Sequence, residues 1–129
     1  MGLPAYGRGF KVSGTSYEVG GTSSGGTAPQ EFTQETGYMA YYEICNQIKQ
    51  NGWKTVKDDN LKSMYAYHKA TKNWVGYENK ETLQHRCTYI NDIGLAGAMF
   101  WDTSLDDMHG LFCDEGSYPL IGMFNTCLN

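Results

Sequence analysis

Apolar residues recur at helical spacing in three stretches of the chain. The first stretch predicts an amphipathic helix with Thr36 as a candidate N-cap, and its apolar face is formed by Tyr38, Tyr41, Tyr42, Cys45 and Ile48. A second helix is expected to begin at Asn79, a good capping residue, and to end at Gly94. The shared face of that helix is Leu83, Cys87 and Ile90. Residues 119–127 predict a final helix that begins with Pro119.

Strand-forming residues cluster between the first two helices. Residues 53–57, 64–69 and 73–77 are rich in aromatic and β-branched side chains and predict three strands. The polar run 58–60 between the first two of these strands predicts a turn. The pattern therefore indicates a small antiparallel sheet with one helix packed on it.

Two further segments predict strands, one near the start of the chain and one after the second helix. Residues 2–8 predict a short strand that contains Pro4, which is tolerated where a ladder hydrogen bond is not needed. Residues 95–101 predict a buried parallel strand that follows a helix. Between them, residues 13–29 are rich in Gly, Ser and Thr and predict a flexible surface loop.

The run GAMFWDTSLDD at 97–107 is the most informative segment for function. Its apolar residues end in Trp101 and give way at once to acidic and polar residues. A flat aromatic ring beside carboxylates suits a sugar, which has apolar faces and polar edges. The alternative interpretation is a core strand that ends in a core Trp.

Composition restricts the classes of function. The chain has 129 residues, of which 40% are hydrophobic and 19% charged, so it can form one ordinary globular domain. Its net charge of −4 with scattered lysines argues against nucleic acid, and no apolar run is long enough for a membrane span. Met1 leads directly into a strand-like segment, so no secretory signal is predicted; for a piece of a longer protein the signal would lie upstream.

Several sequence words in one order resemble the C-terminal part of the family 18 glycoside hydrolases, the animal-type chitinases and their lectin relatives. The words are GLPAYGRGF (2–10), ETGYMAYYEIC (35–45), WVGYEN (74–79), the Trp101 strand, FC (112–113) and YPLI (118–121). The resemblance implies an α+β insertion domain, a small antiparallel sheet plus a helix, attached to the last two β/α units of a partial (β/α)8 TIM barrel. The insertion domain would span residues 11–77, and the barrel units residues 1–10 and 78–129.

The family's catalytic strand motif, D-x-x-D-x-D-x-E, does not occur in this sequence. A whole (β/α)8 barrel takes ~250 residues, about twice the length of this chain. We therefore expect no catalytic residue here, and no metal or cofactor. The mechanism implied for the parent enzyme is retaining and substrate-assisted: the acetamido oxygen of the sugar attacks while a protein Glu protonates the leaving oxygen.

The resemblance also implies a set of sugar-binding residues. Trp101 matches the floor of the subsite that holds the sugar to be cleaved, and Tyr6 and Arg8 match residues that contact substrate in the groove. Glu35 and Tyr38 match one wall of the groove, where family members often have Met in place of Tyr38. The sixth candidate is Met99, which matches a residue beneath the substrate and for which core packing is the stronger expectation. The acidic pair Asp106–Asp107 is expected to hold its loop together rather than to touch sugar.

Four cysteines allow three pairings, and none has the spacing of a zinc or redox motif. The resemblance implies a Cys45–Cys113 disulfide. Cys87 and Cys127 lie on segments predicted as neighbouring helices, so a second bridge is compatible with the pattern. Disulfides indicate an oxidising compartment, and we expect a secreted, extracellular protein.

The favoured function is that of the C-terminal portion of a chitinase that binds and hydrolyses chitin in the parent enzyme, with this chain alone inactive. The expected partners are chitin and N-acetylglucosamine oligosaccharides, together with self-association through open barrel edges. A non-catalytic chitin-binding lectin or matrix protein is the alternative from another class. A truncated product without a function of its own is the third.

Overall fold

An antiparallel sheet of six strands occupies the first half of the chain. The structure is a computed structural model that describes residues 1–128. The strands of this sheet are β2 (Tyr6–Val12), β3 (Ser23–Gly26), β4 (Tyr38–Ala40), β5 (Lys54–Asp58), β6 (Ser63–His68) and β7 (Asn73–Tyr77). Their order is β3-β2-β7-β6-β5, and β4 pairs with the first residues of β2. The three strands expected between the helices are present within one residue of their predicted bounds.

One helix covers one face of the sheet. Helix α1 spans Tyr41–Asn51 and brings Ile44 against the sheet. Gly7 is required there, because a Cβ on it would lie 2.5 Å from Val75 and 2.7 Å from Ile44. The helix begins four residues later than an N-cap at Thr36 predicts, since residues 38–40 pair with β2 as a strand.

A second, smaller sheet pairs a strand near the start of the chain with the strand that ends in Trp101. Strands β1 (Gly2–Pro4) and β8 (Met99–Trp101) are parallel, with Pro4 opposite Trp101. The expected single strand over residues 2–8 is thus divided at Ala5 between the two sheets. The N–H of Ala5 donates to the Trp101 carbonyl at 2.7 Å, and the Ala5 carbonyl accepts from the Tyr41 N–H at 2.9 Å, so Ala5 joins the two sheets.

Two helices complete the second half. Helix α2 spans Lys80–Asp92, and the Asn79 side chain caps it by accepting from the Thr82 N–H at 2.9 Å, as the sequence predicts. Helix α3 spans Pro119–Cys127. The two helices are joined by a Cys87–Cys127 disulfide, while the Cys45–Cys113 disulfide joins α1 to the loop before α3. The Cys45–Cys113 bridge is the one that the family resemblance implies, and the Cys87–Cys127 bridge is the one left open by the predicted neighbouring helices.

The hydrophobic core runs through both sheets without a break. Its fully buried members include Met39 and Ile44 from the first half and Leu83, Ile90 and Leu120 from the second. Two expectations are corrected here. The loop 13–29 contains strand β3, which pairs with β2, and the predicted strand 95–101 is ordered as a strand only over Met99–Trp101. Among residues 1–128, no helix combines the length and apolarity that crossing a bilayer requires.

Candidate functional site

Trp101 lies exposed at the end of strand β8. The strand alternates: Phe100 packs inward with its ring 5.6 Å from that of Phe124, so Met99 and Trp101 lie on the opposite face. Trp101 is 58% exposed. Within the described residues, Trp101 is therefore not a core residue, and its large apolar ring is open to a ligand.

Met99 does not pack in the core as expected. It is 55% exposed and shares its strand face with Trp101. The reason is local, because β8 has only three residues and only its central side chain points toward α3. Met99 consequently lies next to Trp101 along the strand, where it widens the exposed apolar surface.

Tyr6, Arg8 and Tyr38 form one cluster on neighbouring strands. Arg8 lies opposite Tyr38 in the β2–β4 pairing, and Tyr6 lies opposite Ala40. The Tyr6 and Tyr38 ring centroids are 4.7 Å apart. The guanidinium carbon of Arg8 lies 5.2 Å from the Tyr6 ring and 5.1 Å from the Tyr38 ring, within cation–π distance of both. Arg8 is exposed and the rings are half-buried, so an apolar wall is formed with a free cationic edge.

The pKa of the Tyr38 hydroxyl is shifted by burial and by the charged groups near it. Burial is the largest cause that raises the pKa of its hydroxyl above the ordinary 10.0. The Tyr6 hydroxyl and the Asp102 and Glu35 carboxylates raise the pKa further, and Arg8 opposes them. The end of strand β8 lies beside the start of β2, because the N–H of Ala5, the residue before Tyr6, donates to the Trp101 carbonyl at 2.7 Å. The backbone of Trp101 is thus next to the strand that carries Tyr6 and Arg8.

Glu35 lies on a loop that Glu43 holds in place. Glu35 itself is exposed, whereas Glu43 on helix α1 is 4% exposed. The Glu43 carboxylate accepts from the N–H groups of Phe32 at 2.8 Å and Thr33 at 3.0 Å, and from the Ala40 N–H at 3.0 Å. It therefore anchors both ends of the segment that carries Glu35 and Tyr38.

Sequence reasoning missed Glu43. A signal was present, because an acidic residue at the third helical position commonly accepts from the N-cap N–H. The N-cap residue here is Ala40, which has no side-chain oxygen, so the usual Ser or Thr of that motif is absent.

The acidic pair after Trp101 is buried and bound to backbone. Asp106 accepts from the N–H groups of Leu120 and Ile121, both at 3.0 Å, at the start of α3. Asp107 accepts from three successive N–H groups of the next loop, at 2.8–3.1 Å. Both carboxylates are at most 1% exposed. They hold the loop together, as expected, and are not free to protonate a leaving group.

Comparison with known proteins identifies the family. The family model described as glycosyl hydrolases family 18 matches residues 1–106. The chain belongs to this family. Chitotriosidase-1 of Mus musculus is 36% identical over 131 aligned positions, which cover the whole of this chain and 26% of that protein. Chitinase-3-like protein 2 of Homo sapiens is 34% identical over 94% of this chain and 30% of that protein.

Solved structures of the family share the fold closely. The Group IV chitinase of Ostrinia furnacalis superimposes with a TM-score of 0.91 at 37% identity, covering 99% of this chain and 34% of that one. Human YKL-39, a pseudo-chitinase with retained chitooligosaccharide binding properties, superimposes with a TM-score of 0.91 at 32% identity, covering 97% and 33%. The chain therefore spans about a third of each of these structures and between 6% and 30% of six curated relatives that it matches.

Proposed function

We propose that this chain binds chito-oligosaccharides in a groove with Trp101 as its floor and Tyr6, Arg8, Tyr38 and Glu35 as its wall. The observation that carries the proposal is the 58% exposed Trp101 ring at the end of a strand whose last carbonyl accepts from the N–H of Ala5, the residue before Tyr6 of the Tyr6–Tyr38 pair. Sugar rings stack their apolar faces on aromatic rings, and their hydroxyl edges bond to charged groups at the rim.

The wider frame of this groove is a partial (β/α)8 barrel. The parallel β1–β8 pair followed by α3, with α2 before β8, fits the last two β/α units of such a barrel. Under this proposal, residues 1–10 and 78–129 belong to the barrel and residues 11–77 form the insertion domain. Trp101 then lies at the carboxyl end of a barrel strand, where sites of this fold form.

Hydrolysis is the function of the parent enzyme under the favoured interpretation, and this chain contributes binding. The three fully buried carboxylates, Glu43, Asp106 and Asp107, all accept from backbone N–H groups and have no free role as acid. The D-x-x-D-x-D-x-E motif is absent from the sequence. A lectin-like role without hydrolysis is the second candidate, favoured by the reported binding without catalysis of the related YKL-39.

The proposed compartment is extracellular. Its support is the pair of disulfides that use all four cysteines, because such bridges persist where the environment is oxidising. Chitin as a partner agrees with this location.

Binding is tested by titrating chitotriose and chitohexaose into the purified chain by calorimetry. We expect Trp101→Ala to weaken binding by at least about fivefold, since a stacking partner is lost. The matched control is Phe32→Ala, which removes another aromatic ring that is 52% exposed. Equal affinity of the wild type and Trp101→Ala would refute the groove. Release of reducing ends from chitohexaose by the wild-type chain would refute the assignment of binding without catalysis.

A further inference from the structure

The sheet face opposite α1 carries an ordered row of aromatic side chains. Because β2, β7 and β6 are neighbours, Arg8, Gly76 and Tyr65 align across them. Phe10, Trp74 and Tyr67 form the next row. Residues that differ by two along a strand share a face, so both rows lie on the side of Tyr6 and Arg8.

Trp74 forms a flat platform at the centre of this face. A Cβ on Gly76 would lie 2.9 Å from the Trp74 ring, so the ring lies over Gly76 and needs a glycine there. The indole is nearly parallel to the Tyr65 ring, at 24° with the centroids 5.4 Å apart. Its N–H donates to the Tyr17 carbonyl at 3.1 Å, which fixes the orientation of the ring.

An open cavity of about 360 Å³ connects this platform to the wall described above. Its lining includes Tyr6, Arg8, Tyr65, Trp74 and Glu78. The same indole also lines a second cavity of about 210 Å³ under the loop that carries Tyr17. The platform therefore continues the groove and is not a separate patch.

Glu78 supplies a polar group that has an unused acceptor. Its Oε1 accepts from the Nε and Nη2 of Arg86 at 3.1 Å and 3.0 Å. Its Oε2 is buried and has no hydrogen-bond partner among residues 1–128. A buried acceptor without a partner is costly, so a donor from a bound molecule would be stabilising there.

We propose that the half-buried Trp74 indole, supported by the Tyr65 ring, which is 8% exposed, is a sugar subsite that takes further pyranose units of the same chito-oligosaccharide beyond Tyr6 and Arg8. The inference rests on the proposed function and extends it to the insertion sheet. A pyranose ring fits because its apolar face can stack on the indole while a hydroxyl or acetamido N–H donates to Glu78 Oε2. Arg8 lies between the two parts of the groove and can bond to either sugar.

The three tryptophans make the subsite directly observable. Incorporation of 5-fluorotryptophan gives one ¹⁹F NMR signal each for Trp53, Trp74 and Trp101, assigned with single Trp→Phe variants. On titration with chitohexaose we expect the Trp74 and Trp101 signals to shift along one saturation curve. Trp53 is 5% exposed and serves as the internal reference, and maltohexaose serves as the control sugar.

The outcomes separate the two proposals. A shift of Trp101 alone would overturn the subsite and leave the proposed function standing. A shift of Trp74 alone would overturn the continuity of the groove, and with it the proposed function. No shift of either signal would overturn both. As a second measurement, Trp74→Leu should weaken chitohexaose binding about fivefold, with Phe32→Leu unchanged; equal affinity of a folded Trp74→Leu variant would also overturn the subsite.

Discussion

The substitution Glu43→Gln tests how the wall of the groove is held. Glutamine has the shape of glutamate but keeps only one acceptor oxygen. If that oxygen stays with the N–H groups of Phe32 and Thr33, the new amide group replaces the oxygen that accepts from the Ala40 N–H at 3.0 Å and from the Thr33 hydroxyl at 2.8 Å. The hydroxyl can rotate and accept from the amide, but the Ala40 N–H is left facing another donor. Ala40 is fully buried, so no water can replace the lost acceptor.

The magnitude follows from these bonds. An unsatisfied buried donor costs about 1–3 kcal/mol, and each bond that changes from a charged to a neutral acceptor loses about 1 kcal/mol. With two such bonds retained, we expect Glu43→Gln to lower the free energy of unfolding by about 3–5 kcal/mol. This is a large share of the ~5–15 kcal/mol that stabilises an ordinary domain.

Urea unfolding, followed by tryptophan fluorescence with the disulfides intact, measures this loss. At an m-value of ~1.5 kcal/mol per molar, the midpoint should fall by about 2–3 M. The control is Glu31→Gln on the same loop, where the side chain is exposed and no change is expected. A loss below about 1 kcal/mol for Glu43→Gln would refute the reasoning that this carboxylate anchors the wall.

Three further predictions follow from the core, the bridges and the sheet edges. Burial raises the pKa of Tyr77 to about 12 and raises that of Tyr41 further, so above pH 10 both hydroxyls stay protonated in the folded state while the unfolded chain loses these protons, and the free energy of unfolding falls as the pH rises. Tyr41→Phe should reduce that slope by about 1.4 kcal/mol per pH unit in urea unfolding at several pH values, and an unchanged slope would refute the prediction. Peptide mapping without reduction should recover Cys45 joined to Cys113, and any other partner for Cys45 would refute the pairing. Replacing both cysteines by Ala should lower the free energy of unfolding by about 4 kcal/mol, because the bridge spans 68 residues. The outer edges of β1 and β8 have no paired strand within residues 1–128, so light scattering should show dimers or larger species, and a monodisperse monomer would refute that.

The sequence predicts elements well where local chemistry decides them. Helix α2 has its cap at Asn79 and its buried face of Leu83, Cys87 and Ile90 as expected, because capping and periodicity both act within one segment. The turn at Asp58 is also local, since its carboxylate accepts from the next two available N–H groups. The bounds of β5, β6 and β7 follow from strand-forming side chains in the same way.

Elements whose limits depend on distant partners could not be placed from the sequence. Residues 38–40 have helical periodicity with the residues after them, but pairing with β2 holds them as a strand. Ala5 ends one strand and precedes another only because Trp101 and Tyr41 bond to it from two directions. The exposure of Met99 likewise depends on the shortness of β8, which the apolar run 95–101 conceals.

For the candidate site too, the sequence predicted which residues take part, but not how all of them are arranged. The resemblance named Trp101, Tyr6, Arg8, Tyr38 and Glu35. The structure pairs the rings of Tyr6 and Tyr38 and joins Trp101 to Ala5, and the role of these residues as floor and wall of a groove stays a proposal. The platform of Trp74 over Gly76 was not found, because in the sequence both residues are ordinary members of a strand. Only the cross-strand register reveals that they share a face with Arg8.

Three buried carboxylates, Glu43, Asp106 and Asp107, hold the backbone around the proposed groove. Glu43 and Asp107 each collect N–H groups from a loop that would otherwise need water, and Asp106 does the same at the start of α3. Each carboxylate is therefore committed to fixing the backbone, and it can take no part in proton transfer without releasing its loop. The groups left facing solvent near the groove are aromatic rings, one guanidinium and exposed carboxylates. That combination is suited to holding a sugar, and none of these exposed carboxylates belongs to a D-x-x-D-x-D-x-E motif, the family's source of the acid, because the motif does not occur in this sequence.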